Sequence, residues 1–183
     1  MPISTIENLF RPKSVAIIGA STDPTKTAGR PLQFLRKHGF TGNIWPVNPR
    51  VADIDGMRCY ASIEDLPGTP DAAMILLGPV GTEDAARQLS ALGTSVAIVL
   101  AGGYGETGPA GVKRQAALSE AAGKMRVLGP NTIGLLNLRD RITLSASGAL
   151  DTEHLTAGSI GVISQSGGIL GSLLSRAAAK GIG

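Results

Sequence analysis

"VAIIGASTDPTKTAGRPL", Val15 to Leu32, decides how this chain folds. Its apolar run, Val15–Ala20, is broken only by Gly19 and gives way to a loop of small polar residues before Pro31. A continuous apolar run that stops on turn residues suits a strand buried on both faces of a parallel sheet. Similar runs recur at Asn43–Val47, Ala72–Leu77, Val96–Ala101 and Arg126–Leu128, each followed by Gly or Asn.

Helical signals fill the gaps. Leu32, Phe34 and Leu35 belong to a helix ending near Gly39, with Pro31 in its first turn. Thr82 is placed to cap a helix that carries Glu83 and Asp84 early and Ala85, Ala86, Leu89 and Leu92 on one face, with Gly93 as its stop. Pro109 opens the next helix and Gly123 closes it. "ASIEDLPGTP", Ala61–Pro70, holds at most one short helical turn. The alternation predicts an α/β fold: a Rossmann-like, doubly wound parallel sheet with every strand's carboxyl end on one edge.

The loops that reach this edge are small: Gly19–Ala20–Ser21, Asn48–Pro49–Arg50, Gly78–Pro79, Ala101–Gly102–Gly103 and Gly129–Pro130–Asn131. Each alone reads as a tight turn. Repeated at successive strand ends, they read as a track along which a long ligand runs close to the backbone.

After Leu138 the pattern changes. "RDRITLSASGALDTEHLTAG", Arg139–Gly158, is polar and reads as a short strand pair or linker. A further strand is expected at Ile160–Ser164, leading through "SQSGG" into a helix with Ile169, Leu170, Leu173, Leu174, Ala177 and Ala178 on one face. Residues 1–140 form the first expected domain, 141–157 a linker, and 158–183 the truncated start of a second α/β domain. One strand and one helix cannot bury both their faces, hence the expectation of truncation.

Hydrophobic residues make up 43% of the 183 and charged residues 17%, the balance of a globular chain. A net charge of +3, with no basic run and with one Trp, two Tyr and three Phe, argues against a nucleic-acid partner. The single Cys59 excludes an internal disulfide and fits a reducing compartment. No apolar run approaches the roughly 18 residues of a membrane span, and the N-terminus has no secretory core, so a cytoplasmic location away from membranes is expected.

The Val15–Leu32 loop departs from the dinucleotide fingerprint. That fingerprint needs G-x-G-x-x-G and an acid about 20 residues on. Gly19 supplies the first glycine, but Ser21 and Pro24 take the other places, and Asn48, Pro49 and Arg50 stand where the acid would bind a ribose. An arginine there suits a phosphorylated ribose, as in NADP or in coenzyme A with its 3′-phosphate. Hydroxyls of Ser21, Thr22, Thr25 and Thr27, with backbone amides near the helix start, favour an anion.

"LFRPKSVAIIGAS", "GNIWPVNPR", "IDGMRCYASIEDLP", "LAGGYGETG" and "LGPNTIGLLN" together resemble the CoA-binding domain of NDP-forming acyl-CoA synthetases, relatives of the succinyl-CoA synthetase α subunit. "GSIGVISQSGGILGSLLSRAAAKGIG" is similar to the start of the succinyl-CoA-ligase-like domain that follows it there. The resemblance implies roles. Gly19, Ala20 and Ser21 would lie along CoA's phosphates, Arg50 at its phosphorylated nucleotide end, and Asn48 and Pro49 along that wall. Gly78, Pro79 and Val80 would flank pantetheine, and Gly102, Gly103 and Asn131 would lie toward the thiol.

Ser164, Gln165, Ser166, Gly167 and Gly168 fit a second phosphate site, or a simple helix cap by Ser166. The resemblance further implies a carboxylic acid substrate, ATP or GTP with Mg in the full-length enzyme, an ATP-grasp domain or subunit as partner, and a phosphohistidine beyond Gly183. His38, at a predicted helix C-terminus, and His154, in the linker, are not read as catalytic, and no metal ligands are assigned. The fragment is thus expected to bind CoA without completing catalysis, and an oligomer is possible. Two other readings stay open: a stand-alone CoA- or nucleotide-binding regulatory module, and an NADP-dependent oxidoreductase domain.

Overall fold

The structure, a computed structural model, describes residues 5–183. Helix α1 (Thr5–Phe10) leads into β1 (Ser14–Ile18), α2 (Arg30–Lys37) and β2 (Asn43–Val47). A small hairpin, β3 (Asp53–Ile54) and β4 (Met57–Arg58), precedes β5 (Ala72–Ile75), α3 (Pro79–Ala91), β6 (Val96–Val99), α4 (Pro109–Ala122) and β7 (Arg126–Leu128). A second hairpin, β8 (Gly134–Asn137) and β9 (Ile142–Ser145), and helix α5 (Gly167–Ala179) complete the order.

The main sheet has five strands in the order β2-β1-β5-β6-β7, and every neighbouring pair is parallel. Strand β1 is buried along its whole length, which explains a sequence with no polar alternation. Side chains alternate across it. Ala16 and Ile18 face a core shared with Ala85, Ala86 and Leu89 of α3 and with Leu118, Ala121 and Ala122 of α4. Val15 and Ile17 face Leu32 and Leu35 of α2 and Ile142 and Leu144 of β9. Each fully buried Leu or Ile here contributes roughly 1.5–3 kcal/mol. The chain runs outward from β1 to β2, then returns across β1 to β5. The reversal opens a crevice beyond the carboxyl ends of β1 and β5, where open α/β sheets take their ligands.

The five strands expected for the parallel sheet are present, and three local expectations need correction. Thr82 does not cap α3. The helix starts at Pro79, with Gly78 as N-cap and proline in the first turn, while buried Thr82 donates its hydroxyl to the Leu77 carbonyl at 3.0 Å. The first domain does not end at residue 140: the segment read as a short strand pair or linker begins with β9, whose Ile142–Ser145 are all buried. It pairs antiparallel with β8 and lies against α2, so residues 142–145 belong to the first core. Third, Ile160–Ser164 forms no strand; Ile160, Val162 and Ile163 are exposed. A strand exists only with a neighbour to receive its hydrogen bonds, and no described segment pairs with this one. Helix α5 follows as expected, with Ser166 as its N-cap.

Candidate functional site

The loop after β1 turns at Gly19, whose φ of +83° lies in the left-handed region. A side chain there would place Cβ 2.6 Å from Leu77 Cδ2, so the position needs glycine twice over. The amides of Gly19 and Ala20 both donate to the Val47 carbonyl, at 2.9 and 3.3 Å. Asn48 Nδ2 donates to Ala20 O at 2.7 Å, and its Oδ1 accepts from the Arg50 amide at 2.9 Å. Gly19–Ser21 and Asn48–Arg50 are therefore one hydrogen-bonded body. The Arg50 side chain is exposed and makes no hydrogen bond or ion pair among the described residues.

Beyond Ser21 the loop closes on itself. The Ser21 amide donates to Ala28 O at 3.2 Å, while its hydroxyl accepts from the Asp23 amide at 3.1 Å. Thr25 bonds Asp23 through both hydroxyl and amide, and with Lys26 at 3.4 Å these hold the Asp23 carboxyl below its ordinary value, the Thr25 hydroxyl foremost. Of the hydroxyls in this loop, those of Ser21 and Thr25 are thus engaged internally, and Thr27 is exposed at its end.

Across the switch point, Gly78 ends the β5 loop with open space at its α-carbon, Pro79 starts α3, and Val80 is 86% exposed. An apolar side chain held out at a strand end suits an apolar ligand segment. At β6, Gly103 has a φ of +95°, and its amide and that of Tyr104 both donate to Glu106 Oε1. Arg114 Nε donates to Gly103 O at 2.7 Å. Hydrogen bonds from backbone amides, its own and then Gly103's, hold the Glu106 carboxyl below the usual glutamate range. Asn131, at φ +57°, donates its amide to Ala101 O at 2.8 Å, which joins the β6 and β7 loops. A side chain on Gly102 would meet both Glu106 Oε1, at 3.2 Å, and Asn131 Oδ1, at 3.3 Å.

The start of α5 approaches the same edge. Ser166 Oγ accepts from the Ile169 amide at 3.4 Å, and the Ser166 amide donates to Ser164 Oγ at 3.1 Å. Gly167 lies against Ile133, where a Cβ would come within 2.7 Å of Cγ2. One cavity of about 530 Å³ is lined by Thr27, Asn131, Ser164, Gln165, Gly167 and Gly168, among others. Asn131, expected toward the CoA thiol, and Ser164, Gln165, Gly167 and Gly168, expected at a phosphate site, thus line one cavity.

Glu106, Arg114 and Leu77 were not legible as site residues. For Glu106 a signal existed: an acid three residues after Gly103 in "GGYGE" can accept from glycine amides. The histidines lie apart from this edge chemistry in one clear case: His38 ends α2, its Nε2 2.9 Å from Leu150 O. Cys59 is buried, and burial pushes its thiol up, away from reactivity.

Residues 13–137 match a family model described as a CoA binding domain. Over 178 residues the chain is 34% identical to acetate–CoA ligase (ADP-forming) II of Archaeoglobus fulgidus, covering 94% of this chain and 25% of that protein. It is 30% identical to the α subunit of acetate–CoA ligase (ADP-forming) II of Pyrococcus furiosus, covering 90% of this chain and 35% of the subunit. A solved structure of Ca. Korarchaeum cryptofilum acetyl-coenzyme A synthetase 1 superposes with a TM-score of 0.89 at 30% identity, over 97% of this chain and 38% of that one. The chain spans about a quarter to a third of the length of the curated relatives named here. Among the described residues, no helix is long and apolar enough to cross a membrane.

Proposed function

Because this chain belongs to the CoA-binding domain family, we propose that it is the CoA-holding part of an ADP-forming acyl-CoA ligase. The overall reaction in this reading joins a carboxylic acid to CoA at the expense of a nucleoside triphosphate, through an acyl phosphate and a phosphohistidine. The nucleotide, its Mg and the histidine belong to enzyme segments outside this chain. Residues 158–183 open the ligase-like unit that follows.

The observation that carries the reading is the cavity shared by Asn131 with Ser164, Gln165, Gly167 and Gly168. It supports a reading in which the thiol end of CoA meets the phosphate site, as thioester formation requires. There the sulfur–carbon bond forms, the carbon–oxygen bond to phosphate breaks, the thiol gives up its proton and phosphate leaves. Gly19, Ala20 and Ser21 line the diphosphate, and Asn48 and Pro49 wall the nucleotide end, where Arg50 meets the 3′-phosphate. Gly78, Pro79 and Val80 flank pantetheine, and Gly102 and Gly103 let its end pass close to the backbone. Ser164, Ser166, Gly167 and Gly168 receive the phosphoryl group. The chain's own features fit CoA: an unpaired arginine at the nucleotide wall, glycine-lined loops along the path and an exposed valine beside it.

Isothermal calorimetry with CoA and NAD tests the reading. Saturable CoA binding that exceeds NAD binding is expected. Tighter NAD binding, or no CoA binding by the folded chain, overturns it.

A further inference from the structure

Arg58 stands opposite Asp53 in the β3–β4 hairpin, where cross-strand neighbours of opposite charge ordinarily pair. They do not pair here. Asp53 Oδ1 accepts from the Gly56 amide at 2.9 Å and closes the turn. The Arg58 guanidinium instead lies over the Tyr60 ring, with Cζ 4.9 Å from the ring centroid. Arg58 is exposed and Tyr60 half-buried, so the stack has a fixed inner layer and an open outer one.

The backbone fixes this stack beside the nucleotide wall. Tyr60 forms a parallel bridge with Val47, its amide donates to Pro46 O at 2.8 Å, and its carbonyl accepts from the Asn48 amide at 2.9 Å. Asn48 in turn holds Ala20 and Arg50. The Tyr60 backbone, the Arg50 backbone and the Gly19–Ser21 loop are therefore joined by one chain of hydrogen bonds. A guanidinium held over an aromatic ring is a cationic, weakly hydrated group, and arginine and aromatic faces both stack on nucleobases.

We propose that the Arg58–Tyr60 stack is the platform for the adenine ring of the bound nucleotide, working beside Arg50 at the phosphate. This rests on the CoA reading above. It adds a division of labour: Arg50 reads the 3′-phosphate by charge, whereas Arg58 reads the base by its plane and is indifferent to that phosphate.

The test is calorimetry on the full chain with CoA, dephospho-CoA, adenosine 3′,5′-bisphosphate and 4′-phosphopantetheine, for Arg58→Ala, Arg58→Lys and Tyr60→Leu, with circular dichroism to verify the fold. Arg58→Ala should weaken the adenine-bearing ligands by about tenfold and to the same extent, leaving phosphopantetheine unchanged. Arg58→Lys keeps the charge and loses the plane, so it should fall close to alanine; Tyr60→Leu should follow the same ligand pattern. Unchanged CoA binding in folded Arg58→Ala, or equal loss for phosphopantetheine, overturns the proposal. A loss for CoA that vanishes for dephospho-CoA also overturns it, because Arg58 would then be a phosphate contact. If the unmodified chain binds no CoA, the functional reading falls, and this inference with it.

Discussion

Asn48 joins Ala20 to Arg50: its amide nitrogen donates to one residue's carbonyl at 2.7 Å, and its oxygen accepts from the other's amide at 2.9 Å. One side chain thereby locks the loops at the ends of two neighbouring strands. Asn48→Ala removes both bonds, each worth about 0.5–1.5 kcal/mol net. The variant should unfold at lower urea concentration and bind CoA more weakly. Equal affinity with lowered stability would show that the lock serves folding alone.

The Arg50 side chain has no hydrogen-bond or ion-pair partner among the described residues, so its replacement should cost little stability. A charge-assisted bond to a phosphate is worth about 1.5–3 kcal/mol. Arg50→Ala should therefore weaken CoA by roughly ten- to a hundredfold while barely affecting dephospho-CoA. Calorimetry with the two ligands decides the point, and matched losses would remove Arg50 from the 3′-phosphate.

Gly19→Val combines a left-handed backbone position with a β-branched side chain aimed at Leu77. The backbone term alone costs about 1–2 kcal/mol. A fall in melting temperature together with a loss of CoA affinity is expected, since any relief must move the loop or Leu77. A variant with unchanged melting and affinity would show that this turn tolerates rearrangement.

Glu106 has its carboxyl held down in the folded chain by backbone amides, its own and then Gly103's. A depressed folded value means a stabilising contribution present at neutral pH and lost as pH falls below the ordinary glutamate value of about 4.3 and through the folded one. Melting curves across the acid range should show wild type losing this increment and Glu106→Gln lacking it. Parallel acid profiles for the two proteins would contradict the assignment.

Truncation after residue 157 removes the wall that Ser164–Gly168 contribute to the cavity and uncovers Ile133. The nucleotide-end contacts around Asn48 lie on the main sheet and should persist. Affinity for adenosine 3′,5′-bisphosphate should stay within a few-fold in the folded truncate. Its abolition would mean that the C-terminal segment helps to hold the nucleotide.

The main sheet was legible because parallel strands buried on both faces leave unbroken apolar runs, as at Val15–Ile18 and Val96–Val99. Strand ends were read too far, since Ala20 and Leu77 are apolar while Gly19 already turns the chain. The β3–β4 hairpin was missed because two-residue strands carry no period, although Asp55–Gly56 is a turn signal. Ile160–Ser164 failed for the opposite reason: its local pattern favours a strand, but pairing is not a local property. The small loops at the strand ends were visible as residue types. Their cross-links through Asn48 and Asn131 were not, because each depends on a hydrogen bond between segments distant in sequence.

The burial of β9 against α2 also fixes an anchor point. The short 3-10 turn at Gly148–Asp151 still packs, with Leu150 fully buried, so the tether to α5 begins only at Thr152, with the Lys37–Glu153 ion pair at 3.8 Å near its start. Drawn out fully at about 3.3–3.6 Å per residue, residues 152–166 reach roughly 50 Å. That length is a leash. It sets the radius within which the N-terminus of α5 can move relative to the sheet once it leaves its contact with Ile133.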